Sequence, residues 1–193
     1  DVDVENNELC LYSSFVTIQE IQGESDSSPY EDTPVITQGL VTAVNSDGFY
    51  MQDENDSGPW SGIWVYNDDL DLEVQEGMLV EVEGLVLEFY GLTEVLLDKP
   101  EYFNILNEEP TSLNLYLATT GELNNESFES VYVQISAECT ALENESGDWI
   151  LNDGSGNILV GDNFIDFNPD LGTPYIVIGI LDYEFDEYKI QPI

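Results

Sequence analysis

The sequence predicts a mostly β protein with two tandem, OB-like five-stranded barrels preceded by an extended N-terminal arm. Three observations lead to this prediction. Short apolar runs recur every roughly 8 to 15 residues between clusters of Gly, Pro, Asn and Asp, which is typical of barrels and sandwiches. Few windows carry a helical period, and the best of them is Thr111 to Leu123. The second half of the chain also repeats the first.

The first unit, predicted over residues 15–104, contains five candidate strands. The polar turn Asn45 to Gly48 ends the first strand, because Asn, Asp and Gly tolerate the positive φ that tight turns need. Gly84 lies in the long fourth run, where we expect a kink or a bulge. The five predicted strands are Thr33 to Val44, Gly48 to Asp53, Gly62 to Tyr66, Met78 to Leu87 and Thr93 to Leu97.

The second unit, predicted over residues 126–193, repeats the order and spacing of the first. Its turn at Asn144 to Gly147 and its Gly179 match the turn and the central glycine of the first unit. Residues 1–14 are predicted to form the arm, and residues 105–125 a linker. The matching segments of the second unit are Val131 to Cys139, Asp148 to Asp153, Gly156 to Val160, Gly179 to Leu181 and Phe185 to Ile190.

The amino-acid composition of the chain excludes most catalytic chemistry. Its 193 residues include 41 Asp and Glu, no His and only two cationic side chains, which gives a formal net charge of −39 at pH 7. Without His there is no imidazole base and no Ser-His or Cys-His nucleophile pair. Both cations are lysines, so no Arg can clamp a phosphate or carboxylate. We therefore predict that the protein is not an enzyme.

A five-stranded barrel of this pattern is the OB architecture. The informative residues are Val16 to Ser25, Ser28 to Pro29, Gly39 to Val44, Gly48 to Asp53, Ser61 to Val65 and Gly77 to Glu94 in the first half, and Trp149, Asp153 to Gly156 and Tyr188 to Ile190 in the second. With these residues, residues 15–98 resemble the OB-fold module that precedes the catalytic domain of secreted bacterial nucleases of the endonuclease/exonuclease/phosphatase type, and the second half resembles a more diverged OB unit. The resemblance implies an extracellular module that helps to bind nucleic acid or another polymer; the nuclease domain itself has no counterpart here.

Four aromatic side chains are the candidate ligand-binding residues: Trp60, Trp64, Tyr66 and Tyr90. The alternative is that they pack in the core, since alternate residues of each strand fill a barrel. An OB fold that binds nucleic acid also needs a positive groove, which two lysines cannot supply. Direct nucleic-acid binding is therefore not expected unless metal ions bridge the charges.

Several acidic loops offer hard oxygen ligands of the kind that calcium prefers. The segment Asp53 to Gly58 begins like a calcium loop, but the twelfth position is Trp64 where an EF-hand needs Glu, so it is not an EF-hand. The alternative is a solvated acidic surface. The candidate metal ligands are Asp53, Asn55, Asp56, Asp68, Asp69, Asp71, Asp162, Asp166 and Asp170.

The two cysteines, Cys10 and Cys139, have no metal-binding spacing. They are candidates for one disulfide, and the alternatives are two buried thiols or an intermolecular bridge through Cys10. No apolar run is long enough to span a membrane. The sequence does not begin with Met, and we expect a processed, mature N-terminus.

These observations predict a secreted, non-catalytic protein that acts by association. It would be a subunit of an extracellular assembly such as a filament, sheath or matrix, stabilised by divalent cations such as calcium. Its partners would be copies of itself or other extracellular proteins, and the apolar residues of the arm would add a strand to a neighbouring sheet edge. The alternative is an accessory nucleic-acid-binding module that works beside a separate nuclease.

Overall fold

The computed structural model describes residues 13–67, 70–107, 109–144 and 146–193. It contains two closed five-stranded barrels and very little helix, which confirms the predicted fold class. Residues 1–12, which make up most of the predicted arm, lie outside the described residues. Within the described ranges, no helix has the length and apolar character needed to cross a membrane.

The first barrel closes because its long strand β2 pairs with both β3 and β5. Around the barrel the strands follow the order β2, β3, β4, β6 and β5; β1 adds to β2 and β7 adds to β5. The bounds are β1 (Ser14–Phe15), β2 (Pro34–Val44), β3 (Gly48–Gln52), β4 (Gly62–Tyr66), β5 (Leu79–Phe89), β6 (Leu92–Leu96) and β7 (Phe103–Asn107).

The second barrel repeats this order with β9, β10, β11, β13 and β12, closed by pairing of β9 with β10. In both barrels the third and fifth strands are parallel and the other neighbours antiparallel, so the predicted repeat is a repeat of topology. The bounds are β8 (Tyr116–Leu117), β9 (Tyr132–Ala141), β10 (Trp149–Asn152), β11 (Asn157–Val160), β12 (Pro174–Glu184) and β13 (Glu187–Pro192).

The central glycines of β5 and β12 lie where each long strand passes from one neighbour to the next. β5 pairs with β2 up to Leu85 and with β6 from Leu85 onward. A Cβ on Gly84 would lie 2.6 Å from the carbonyl oxygen of Leu96, and a Cβ on Gly179 would lie 2.2 Å from that of Gln191. Glycine is needed at both positions because the backbones approach too closely for a side chain.

The best helix candidate in the sequence, residues 111–123, does not form a helix. This segment contains the short strand β8, which pairs in parallel with β9. The α-helix of the described chain is instead α1 (Ile18–Gln22), which begins at a capping box: Thr17 accepts a hydrogen bond from the Glu20 backbone, and Glu20 accepts one from the Thr17 backbone. Single 3-10 turns form at Pro100–Tyr102 and Glu126–Phe128.

Each barrel has its own apolar core. The first core includes Phe49 and Ile63, packed against Ile18 of α1, and the second includes Trp149 and Leu151. A third apolar cluster lies between the barrels and is formed by residues of both. The two barrels therefore pack against each other, and this contact positions the site described next.

Candidate binding surface at the barrel interface

The second barrel covers the outer face of β3 and β4 in the first barrel. Tyr50 of β3 and Trp64 of β4 point away from the first core and pack against Ile180 of β12, with exposed fractions of 4% and 7%. Their rings contact each other at a centroid distance of 4.5 Å. This face is the one from which OB folds bind oligonucleotides and oligosaccharides. In the first barrel it is occupied by protein.

Polar contacts fix the same interface. The Tyr132 backbone N–H donates to Gln52 Oε1 at 2.9 Å, and the Thr93 N–H donates to Glu129 Oε1 at 3.0 Å. A Cβ on Gly62 would lie 2.1 Å from the carbonyl oxygen of Ser130, so the two backbones are in direct contact there. The barrels are therefore held by matched backbone and side-chain groups as well as by apolar burial.

An interface carboxyl cluster, defined as Glu88, Glu126 and Glu129, lies beside these contacts. Thr93 joins two of its members, because its Oγ1 donates to Glu88 Oε1 at 2.8 Å and its N–H to Glu129 Oε1. Tyr188 Oη donates to Glu126 Oε2 at 2.6 Å. Five buried oxygens here have no hydrogen-bond partner among the described residues: Gln22 Oε1, Glu88 Oε2, Glu126 Oε1, Glu129 Oε2 and Ser130 Oγ.

Burial and nearby negative charges favour protonation of two members of this cluster, Glu129 and Glu126. Glu129 is 1% exposed, and desolvation together with the charges of Glu126 and Glu88 raises its pKa to about 9. Desolvation also raises the pKa of Glu126. A protonated carboxyl is a hydrogen-bond donor as well as an acceptor. Near neutral pH, Glu129 therefore carries a proton, which reduces the number of buried acceptors that lack a donor.

Each barrel ends in a two-residue hairpin that presents an aromatic ring to solvent. Tyr90, in the β5–β6 hairpin, is 88% exposed, and Phe185, at the equivalent place in the β12–β13 hairpin, is 86% exposed. Their φ values are +52° and +55°, and Gly91 and Asp186, which follow them, also have positive φ. Positive φ at both central residues defines a type I′ turn, which usually carries Asn and Gly. A bulky aromatic residue is an outlier there.

The two hairpins meet at the edge of the interface. A Cβ on Gly91 would lie 2.8 Å from Cε1 of Tyr183, so the first hairpin rests on the base of the second. Phe89 stacks edge-on against Tyr90 at 4.8 Å, and Tyr183 contacts Tyr188 at 4.7 Å. We call this the hairpin surface; it consists of Phe89, Tyr90, Tyr183, Phe185 and Tyr188.

The hairpin surface lies in a strongly negative environment. Beyond desolvation, the charges of Asp186, Glu126 and Glu129 raise the pKa of Tyr183, because they oppose a phenolate. Tyr188, which donates to Glu126, also has a raised pKa, chiefly from desolvation. The lysine of β13, Lys189, is buried; its Nζ lies 3.1 Å from Asp148 Oδ1 and 5.8 Å from the ring centroid of Phe185. One aromatic ring of the surface thus already faces a cation.

The four predicted ligand-binding aromatics are not brought together. Trp64 is buried between the barrels, and half-buried Tyr66 packs against the same cluster. Trp60 is half-buried, and its backbone N–H donates to the carbonyl of Ser127 in the second unit. Tyr90 alone of the four stands fully in solvent. A role for these residues in binding a ligand stays a prediction, and Tyr90 offers the open ring.

The predicted metal ligands lie in separate loops. Asp53 Oδ1 accepts from the Asn55 N–H and Asp56 Oδ1 from the Gly58 N–H, so these oxygens bond within their own loop. Among the described residues, no three His, Cys, Asp or Glu side chains form a group that could hold a metal ion. Calcium binding stays a prediction. The exposed candidates are Asn55, Asp56, Asp71, Asp162, Asp166 and Asp170, while Asp68 and Asp69 lie outside the described residues.

Cys139 is buried in the second core, and its thiol donates to the carbonyl of Ala141 at 3.4 Å. Cys10 lies outside the described residues, so their pairing stays a prediction.

Sequence reasoning did not select Phe185 or the interface carboxyl cluster. The repeat gives a signal for Phe185, since it aligns with Tyr90. No signal separates Glu129 from the other acidic residues.

No protein-family model and no curated protein matches the chain. Solved structures similar to it include the E. coli protein ygiW, at 16% identity over 49% of this chain and 97% of that chain, with a TM-score of 0.36. The tetrameric p202 HIN2 domain matches 94% of this chain and 95% of its own at 14% identity, TM-score 0.41. Fission yeast Pot1, solved with ssDNA, matches 93% of this chain and 83% of its own at 10% identity, TM-score 0.42. The OB assignment of this chain rests on its own strand order and barrel closure.

Proposed function

We propose that this chain is a non-catalytic tandem OB-fold protein that acts by association, as a subunit of an extracellular assembly. The observation that carries the proposal is the hairpin surface, where both barrels expose an aromatic residue at the same strained turn position. A strained residue that makes few contacts within its own chain indicates a function outside it. The extracellular setting is supported by the resemblance of residues 15–98 to modules of secreted nucleases.

The charge distribution supports association over catalysis. The formal net charge of −39 leaves a surface that repels polyanions and attracts cations. Two carboxyl groups whose pKa is strongly raised, those of Glu129 and Glu94, are buried, at 1% and 5% exposure. Their perturbation follows from packing of the barrels, and neither carboxyl stands in an open cleft.

The experiment is sedimentation velocity and electron microscopy of the purified chain at rising concentration, with calcium or with a chelator. We expect oligomers or filaments whose formation depends on the hairpin surface. The double variant Tyr90→Ala, Phe185→Ala should lower assembly, whereas the matched variant Leu117→Ala, Ile176→Ala, which removes two other exposed side chains, should not. Monomers at every concentration, with and without calcium, would refute self-assembly.

The second candidate is an accessory module that binds single-stranded nucleic acid. The specific observation in its favour is that the exposed aromatic rings lie on the hairpins that join the fourth and fifth barrel strands, a site that OB folds use for oligonucleotides. Base stacking on aromatic rings does not itself require cations. The lack of basic residues opposes it, because phosphate contacts supply most of the affinity for nucleic acid.

Gel shifts with single- and double-stranded DNA at low salt, with and without calcium, distinguish the two candidates. Tight binding that Tyr90→Ala and Phe185→Ala abolish would favour the nucleic-acid module. Binding that appears only with calcium would indicate that metal ions bridge the phosphates and the acidic surface. No shift under any condition would leave association with proteins.

A further inference from the structure

We propose that the hairpin surface binds a basic, lysine- or arginine-rich segment of a different protein. This inference rests on the proposed function, because it assumes that the chain acts by association, and it names the chemistry of the partner. The hairpin surface combines exposed aromatic rings with carboxylates, and cations bind both.

The rings of the hairpin surface are available to a partner. Tyr90 and Phe185 stand almost fully in solvent, and Phe89 is 58% exposed. A cation within about 6 Å of an aromatic ring centroid is attracted to the ring face. Lys189 adopts this arrangement within the chain, since its Nζ lies 5.8 Å from the centroid of Phe185. Lys99 does the same at 4.9 Å from Tyr102. Both cations of the chain are thus placed over aromatic rings.

Carboxylates surround these rings. Asp186 and Glu187 are exposed in the second hairpin, and Glu184 lies at its base, 3.6 Å from Lys189 Nζ. Glu126, which accepts from Tyr188, is half-buried beside them. A lysine ammonium offers three donors and no acceptor, and an arginine offers five donors. A basic segment would therefore pair with the exposed carboxylates of Asp186 and Glu187 while its cations rest on the ring faces.

The basic segment must belong to a different protein because this chain cannot supply one; contacts between copies at the hairpin surface would be made by the aromatic rings. Its only cations are Lys99 and Lys189, and Lys189 is buried in an ion pair with Asp148. A second copy therefore presents one exposed lysine against 41 acidic residues. Complementary charge also steers the encounter of the two proteins, so the on-rate should fall steeply with salt.

The test is fluorescence anisotropy of a labelled twelve-residue peptide of alternating Lys and Gly, titrated with the chain at 0.15 M salt. Any highly acidic protein attracts such a peptide, so the test compares the affinity of variants with that of the wild type. Tyr90→Ala, Phe185→Ala leaves the charge unchanged and should weaken binding about five-fold or more. The matched control is Ile176→Ala, in the same strand β12 but at the opposite end. Thermal melts confirm that each variant is folded.

Two double variants that have the same net charge as each other test the carboxylates. Asp186→Asn, Glu187→Gln should weaken binding more than Glu138→Gln, Glu143→Gln, which removes two exposed charges elsewhere. Equal binding by all variants would overturn the proposal, since the peptide would then be attracted by the overall negative charge and not by the hairpin surface. Preferential binding of single-stranded DNA at the hairpins would also overturn it. Self-assembly of the wild-type chain without peptide binding would overturn this inference and leave the proposed function standing. Peptide binding that depends on the hairpin surface, in a chain that does not self-assemble, would support this inference and count against self-assembly.

Discussion

The two barrels have the same strand order but opposite relations to their surroundings. The first barrel buries the outer face of β3 and β4, where Tyr50 and Trp64 lie under the second barrel. At the equivalent positions of β10 and β11, the second barrel carries Ile150 and Leu159, which are only half-buried. One OB face is thus used to hold the molecule together, and the other stays open. A repeated fold can therefore divide its faces between assembly and recognition.

Residues at equivalent positions beside these two faces differ in charge as well as in size. Register places Glu94 of β6 beside Trp64, and Lys189 of β13 beside Leu159. Glu94 is buried, and desolvation together with the charge of Glu88 raises its pKa to about 7. Lys189 is buried too, but it is paired with Asp148 at 3.1 Å. The same topological position holds a carboxyl that favours neutrality in one barrel and an ion pair in the other.

The two faces should differ most in the stability that is lost when a side chain is truncated to alanine. Trp64→Ala should lower the free energy of unfolding by about 3 to 5 kcal/mol, because it leaves a cavity between the barrels. Leu159→Ala, at the equivalent position, should cost only about 1 to 2 kcal/mol, since its side chain is already half in solvent. Denaturant titration at pH 7 measures both. Equal losses would contradict this difference, because they would mean that both faces are covered.

The next largest effect concerns the paired positions Glu94 and Lys189. Lys189→Met should destabilise the fold by about 3 kcal/mol, because it leaves buried Asp148 without its cation. Glu94→Gln should be neutral or stabilising at pH 8, where the wild-type carboxyl is ionised at a cost. Thermal melts at pH 5 and pH 8 check both, and a loss of stability in Glu94→Gln at pH 8 would show that its charge has a favourable partner.

An effect that depends on pH is expected at Glu129. Its pKa of about 9 in the folded chain exceeds the ordinary value of 4.5, so the folded state binds the extra proton between these limits. Stability from this group is therefore complete below pH 4.5 and is lost as pH rises through 9. Gln22, Thr93, Glu88 and Glu126 face this carboxyl, and the Thr93 N–H donates to it.

Glu129→Gln should remove most of this pH dependence. The variant and the wild type should melt alike near pH 4.5, and the variant should melt higher at pH 9, by about 2 to 4 °C for each kcal/mol. The control is Glu187→Gln, which removes one exposed charge and so corrects for the general repulsion in a chain of net charge −39. A constant difference between the variant and the wild type at every pH would contradict protonation of Glu129.

The sequence predicts each barrel well and their contact poorly, for physical reasons. Alternating apolar residues and turn glycines are local signals, and they locate β2 to β6 to within about two residues at each end. The apolar residues Leu113, Leu115 and Leu117 alternate with period two, which agrees with strand β8 and explains why a helix is wrong there. The capping box at Thr17 was the local signal for the helix that does form.

The candidate site depends on what covers an outer face, and alternation does not carry that information. Periodicity shows that Trp64 points outward from its barrel, but not that Ile180, 116 positions further along the chain, will pack on it. Composition likewise cannot select Glu129 among 41 acidic residues, because its pKa follows from burial between two barrels. Long-range packing therefore decides which aromatic and acidic side chains remain available to a partner.

The smallest predicted effect separates the two hairpins without altering their aromatic rings. Gly91→Ala should cost about 1 to 2 kcal/mol, because its φ of +92° strains any side chain and the new Cβ would press on Tyr183. Asp186→Ala, at the equivalent turn position with φ of +63°, should cost less than about 1 kcal/mol, since a side chain already occupies that conformation. Denaturant midpoints measure both. An equal loss would mean that the second hairpin is also held by its own chain, and Phe185 would then not be free for a partner.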